Sequence, residues 1–126
     1  MIVSDFQYLD ALVLRRKLHA PANTVFFLAR DYSVQFRLDG QPIVYCVPQG
    51  TWTDFASVPR LVPSLMAQAL DAIEAAVVHD HMCQIKPTWG SGVAADVFEQ
   101  AMEVSGVPLI RRKLMANAVR MFGPRW

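Results

Sequence analysis

Residues 32–38, Tyr-Ser-Val-Gln-Phe-Arg-Leu, alternate apolar and polar side chains, and Asp39-Gly40 follows at once. A period of two puts Tyr32, Val34, Phe36 and Leu38 on one face of a strand. Asp-Gly suits a two-residue hairpin, whose central positions both need a left-handed backbone. Pro42 then opens Ile43-Val44-Tyr45-Cys46-Val47, which returns as the partner strand, and Pro48 and Gly50 end it. The hairpin commits this part of the chain to antiparallel sheet. Thr24 to Leu28 reads as a further strand, and residues 9–18 fit either a strand or a short helix.

The second half changes period. Ser57-Val58-Pro59-Arg60 leads into a short helical piece near 60–66. A longer helix is expected from about Pro63 or Met66 to Gln84. Residues 86–92, from Lys86-Pro87 to Gly92, form a loop. A helix from about Val93 to Val104 follows and closes at Gly106. Pro108 suits a first helical turn, and the last helix runs to Phe122, stopping at Gly123-Pro124. The expected class is α+β: a small antiparallel β-sheet in the N-terminal half, packed with an α-helical hairpin and a C-terminal helix. The 126 residues make one domain, and an apolar share of 53% excludes a disordered chain.

Charge narrows the function classes. The formal net charge is +1, but residues 61–110 hold one basic and six acidic side chains, while residues 111–126 hold five basic and none acidic. These stretches attract each other if they pack together. Arg111, Arg112 and Lys113 are consecutive, so they fan around a helix instead of forming a stripe, and nucleic-acid binding is not expected. No apolar run reaches the roughly 18 residues of a membrane span. The N-terminus lacks the features of an export signal. Cys46 and Cys83 make no disulfide framework, which suits a reducing or indifferent compartment.

His79 and Asp80 carry the chemistry. On a helical wheel the small residues Ala72, Ala75, Ala76 and Cys83 surround His79, so another helix can approach closely. His79 and Asp80 look inward or toward a groove, and His81 looks outward. An antiparallel helix after a short loop brings Asp96 to the height of His79. A carboxylate on one imidazole nitrogen raises the basicity of the other, which would make His79 and Asp96 a general-base dyad. The alternative is a buried pair that clamps two helices. Asp80 and Asp54 are candidate cation or water ligands. That oxygen-rich set suits calcium or magnesium better than zinc. For Asp80 the alternative is a cap or an ion pair with an arginine of the last helix, and for Asp54 it is a bond to its own loop. Trp52, Trp89 and Trp126 read as core or lid packing, and for Trp89, in the loop, the alternative is the rim of a pocket.

Thr53-Asp54-Phe55-Ala56-Ser57-Val58-Pro59-Arg60 resembles the signature of an uncharacterised family of small proteins from tailed phages, prophages and bacteria. The pattern continues through Ala75-Ala76-Val77-Val78-His79-Asp80, then Ala95-Asp96-Val97-Phe98, and Gly106-Val107-Pro108, over roughly residues 43–123. Membership implies a phage or prophage setting and no particular activity. The helix pair is also similar to the catalytic arrangement of secreted calcium-dependent phospholipases. By that likeness His79 would activate water, Asp80 would ligate calcium and Asp96 would orient His79. The flanking cysteines and the glycine-rich calcium loop are missing, and Cys83 stands where H-D-x-x-Y has its tyrosine.

Two functions follow as expectations. The first is a phage-type hydrolase acting on a cell-envelope component, with His79 and Asp96 as base and orienter. The second is a non-enzymatic virion, tail or lysis-associated component, partnered by other phage structural proteins, whose polar cluster only stabilises the helical hairpin. Either would work in the bacterial cytoplasm or the phage particle.

Overall fold

A computed structural model describes residues 1–16, 26–53 and 69–126. Among these, β1 spans Val3–Tyr8, β2 Leu14–Arg16, β3 Phe26–Leu28, β4 Tyr32–Leu38, β5 Gln41–Val47 and β6 Trp52–Thr53. A 3-10 turn over Ala69–Ala72 leads into α1, Ile73–Ile85, followed by α2, Gly90–Val104, and α3, Leu109–Phe122. The strands form two antiparallel sheets, ordered β1-β4-β5 and β2-β3-β6. The α+β class is as the periodicities indicate. The short helix near 60–66 and the first turns of the long helix lie outside the described residues.

The β4–β5 hairpin follows its sequence closely. Tyr32 pairs with Val47 and Leu38 with Gln41, leaving Asp39 and Gly40 as the loop. Both loop residues have positive φ, 51° and 79°, as a type I′ turn requires. Tyr32, Val34, Phe36 and Leu38 are all buried. With Val3, Phe6, Tyr45 and Val47 they form the sheet side of the core. The helical side supplies Val77, Val78, Val97, Phe98, Ala101 and Met102.

β1 adds an edge that simple alternation misses. Its pairing with β4 shifts between Ser4 and Gln7. Asp5 sits there with φ 54°, so an extra residue bulges out of the ladder. The bulge turns both Val3 and Phe6 inward, three positions apart, where a regular strand would put them on opposite faces. α1 ends at Lys86, whose left-handed backbone lets its N–H bond Met82 O at 2.8 Å, and Pro87 bars continuation. α2 starts at Gly90, earlier than the Val93 of the periodicity. The Trp126 carbonyl accepts from Ser91 N–H there at 3.3 Å, meeting one of the free amides of the first turn.

The acidic and basic segments do pack together. Arg111 forms a two-pronged ion pair with Asp71, Lys113 reaches Glu99 at 2.7 Å, and Arg120 binds Asp96 and Glu99. Arg112 instead donates to Val107 O. Consecutive cations thus leave α3 in different directions and stitch it to the turn before α1 and to α2. No helix among the described residues is long and apolar enough to cross a membrane.

The bulge gives a direct test. Asp5→Val puts a β-branched side chain on a left-handed backbone and is expected to lose about 1–2 kcal/mol in urea unfolding. Asp5→Gly is expected to stay within about 0.5 kcal/mol of the parent. Equal losses from both would contradict the bulge.

Candidate functional site

α1 is buried on every side through its middle: Ala75 to Met82 are all inaccessible. Small side chains explain this, because Ala72, Ala75 and Ala76 let α2 and the strands close in together. Three consecutive polar residues, His79, Asp80 and His81, therefore project in three directions without meeting water. Burial of such groups is tolerable only when they are bonded.

Each side chain meets a different element. The Asp80 carboxylate accepts a 2.5 Å hydrogen bond from the hydroxyl of Thr53, on β6 of the second sheet. His81 Nδ1 lies 2.6 Å from the Tyr45 hydroxyl, on β5 of the first sheet. The His79 ring packs on Phe98 of α2 at 5.1 Å between centroids, and its Nδ1 lies 3.7 Å from Cys83 Sγ. Burial pulls the His79 imidazole down to about 4 and lowers His81 as well, so both rings are neutral at pH 7. Burial also pushes the Cys83 thiol up to about 11, with Asp80 adding to the rise, so it carries no thiolate.

The structure rearranges the residues singled out above. His79 and Asp80 are inward as the wheel indicates. His81 is a correction: it is buried too, because the outward side of this helix stretch is covered by β5. Asp96 is a second correction. Its carboxylate accepts from Arg120 at 2.7 Å and is 42% exposed, and among the described residues no hydrogen bond joins it to His79. Helical phase accounts for this. Phe98 faces α1, and Asp96 lies about 200° around α2 from it, toward α3. Asp80 is bonded by Thr53, and no ion pair with an arginine of the last helix is found among the described residues. Asp54 lies outside the described residues, as does nearly all of the signature that begins at Thr53. Among the described residues no three His, Cys, Asp or Glu side chains gather as a metal-ligand group.

Tyr45, Thr53 and Phe98 complete the cluster and were not legible as site residues. The available signal was Tyr45 at an inward position of a strand, needing a partner for its hydroxyl. Trp89 lines a shallow opening of about 420 Å³ with Val93, Asp96 and Arg120, as its place in the loop indicates. It packs edge-on to Phe36 and Tyr45, at 5.8 Å and 6.1 Å, which extends the aromatic contacts from the sheet to His81.

Two expectations test the cluster. Tyr45→Phe leaves His81 without its bond and is expected to cost about 1–3 kcal/mol, whereas exposed Val44→Ala on the same strand should cost under about 0.5 kcal/mol. Acid should also weaken the fold. Unfolded, the His79 imidazole titrates near 6.5, above its folded value, so between the two pH values the unfolded chain binds more protons. Stability should hold above about pH 7 and fall as the pH drops from about 6.5 toward 4, by up to roughly 3 kcal/mol from this ring. His79→Phe should flatten urea-unfolding stability between about pH 6.5 and 5.5. An equally steep profile in that variant would mean that His79 is not the group being protonated.

Residues 26–119 match the family described as protein of unknown function (DUF1353). An uncharacterised protein, y4iH, of Sinorhizobium fredii (strain NBRC 101917 / NGR234) is 38% identical over 79 residues, covering 60% of this chain and 32% of that protein. This chain thus matches about a third of the length of that curated relative. No solved structure matches.

Proposed function

We propose that this chain, which belongs to the DUF1353 family of proteins of unknown function, works without catalysis, as a small structural component in which the His79-Asp80-His81 run locks the fold. The phage or prophage setting, as a virion, tail or lysis-associated part, is proposed from the T-D-F-A-S-V-P-R signature and the H-D and A-D-x-F runs. The observation that carries the reading is the commitment of Asp96 to Arg120 on the far side of α2 from His79. The carboxylate expected to orient a base serves instead to hold α3. Asp80 and His81 each bind a strand, and their bonds join α1 to both sheets.

A hydrolytic reading keeps one supporting observation. A buried, neutral imidazole is the form that a general base needs. In that reading His79 would act beside Asp80 and Asp54 as cation or water ligands, with calcium or magnesium bound and a cell-envelope component as substrate. It is the weaker reading, because a base held near pKa 4 has little affinity for the proton it must take.

One set of measurements separates the two. The purified chain is assayed on ester, phosphoester and amide substrates with calcium, with magnesium and with chelator, and its melting temperature is followed in each. The expected result is no turnover above buffer and no melting shift from either ion. Asp96→Asn should cost under about 1 kcal/mol, as befits a partly exposed ion pair. Turnover that disappears in a folded His79→Gln variant would overturn the structural reading.

A further inference from the structure

A cleft of about 530 Å³ opens where the end of β1, the start of β4, the 3-10 turn and the adjoining ends of α1 and α2 meet. Tyr8, Asp10, Tyr32, Asp71, Glu74 and Ser105 are among its walls. Most polar groups there are already engaged. The Tyr8 hydroxyl donates to Ala101 O at 3.0 Å and lies 2.9 Å from Ser105 Oγ. Asp10 accepts from Ser33 N–H at 2.8 Å, and Asp71 is gripped by Arg111.

Tyr32 is one exception. It is 1% exposed, it lines the cleft, and its hydroxyl has no hydrogen-bond partner among the described residues. The little surface it keeps includes the hydroxyl, because Glu99 Oε1 is the one fully buried side-chain polar atom without a hydrogen bond among the described residues. Glu74, on the same wall, likewise has no hydrogen bond or ion pair among the described residues. The walls carry three carboxylates, and Arg111 offsets only that of Asp71. Burial, with Glu74 and Asp10 nearby, pushes the Tyr32 hydroxyl well above its ordinary range, so it stays neutral and able to accept an N–H. The carboxylates do not converge as a metal-ligand group among the described residues, which favours an organic cation over a metal ion. The stacked rings of Tyr8 and Tyr32, 6.1 Å apart, add apolar wall.

We propose that this cleft binds an ammonium or guanidinium group, whose N–H donors reach the Tyr32 hydroxyl and the Glu74 carboxylate. The group has two sources, a free aliphatic amine or a lysine or arginine side chain of a partner polypeptide. The ¹⁵N-labelled full chain is titrated by NMR with cadaverine, with the capped tripeptide acetyl-Gly-Lys-Gly-amide, with calcium chloride and with pentane-1,5-diol. Saturable shifts at Tyr8, Tyr32, Glu74 and Ser105 are expected with the cations and not with the diol. Tighter binding of the diamine assigns a small molecule, and tighter binding of the tripeptide assigns a partner's side chain. Glu74→Gln should weaken binding about tenfold, and Tyr32→Phe, which keeps the ring, should weaken it several-fold. No saturable shift with either cation would overturn the proposal. So would unchanged affinity in a Glu74→Gln variant whose spectrum is folded, or the same shifts produced by calcium.

Discussion

The middle of α1 has no face toward water, and the rest of the fold is arranged around that constraint. A helix turns about 100° per residue, so three consecutive polar side chains sweep most of its circumference. With Ala75 to Met82 all buried, no rotation of α1 exposes His79, Asp80 and His81 together. The surrounding elements must supply their partners. Thr53 does so from one sheet, Tyr45 from the other, and Phe98 covers the remaining ring from α2. Removing one partner strands a buried polar group, so these bonds specify the seating of the helix more than their net strength suggests.

Two kinds of attachment then build outward from α1. Toward α2 the contact is steric: Ala76, Ala94, Ala95 and Ala101 are buried and small enough for close helix packing. Gln100 of α2 also donates to the Val3 carbonyl, which ties the helices to the bulged edge strand. Toward α3 the attachment is largely electrostatic. Only Met115 and Ala116 of that helix are fully buried, while Arg111, Lys113 and Arg120 reach acidic partners on earlier elements. Ile110, Leu114, Met121 and Phe122 stay exposed, so α3 lies on the surface as a charged strap.

Legibility in the sequence follows the same division. The β4–β5 hairpin was readable because one face is buried, one is wet, and Asp39-Gly40 fixes the register. The end of α1 and both ends of α3 were readable because Lys86-Pro87, Pro108 and Gly123-Pro124 punctuate the backbone. β1 was not, since the bulge at Asp5 breaks the period of two that identifies strands. The charge asymmetry foretold the attachment of α3, whereas the hairpin geometry misled about Asp96. A carboxylate near a helix hairpin was assigned to the imidazole across the gap, when a guanidinium one helix further on offered a stronger and better solvated partner. His81 was misread for a related reason. A wheel divides residues into inner and outer faces, and a helix enclosed on all sides has no outer one.

Two tyrosines on the inner face of the first sheet show how closed and open polar sites differ. Tyr45 and Tyr32 are both buried, one on β5 and one on β4, with hydroxyls that burial holds neutral. Tyr45 is answered from within the chain by His81 at 2.6 Å, and that pair completes the core. Tyr32 looks into a cleft whose unpaired charge is negative, and no side chain among those described answers it. Folding supplies the first bond regardless of what else is present. No described side chain satisfies the second hydroxyl, and the surrounding carboxylates favour a donor that is positively charged.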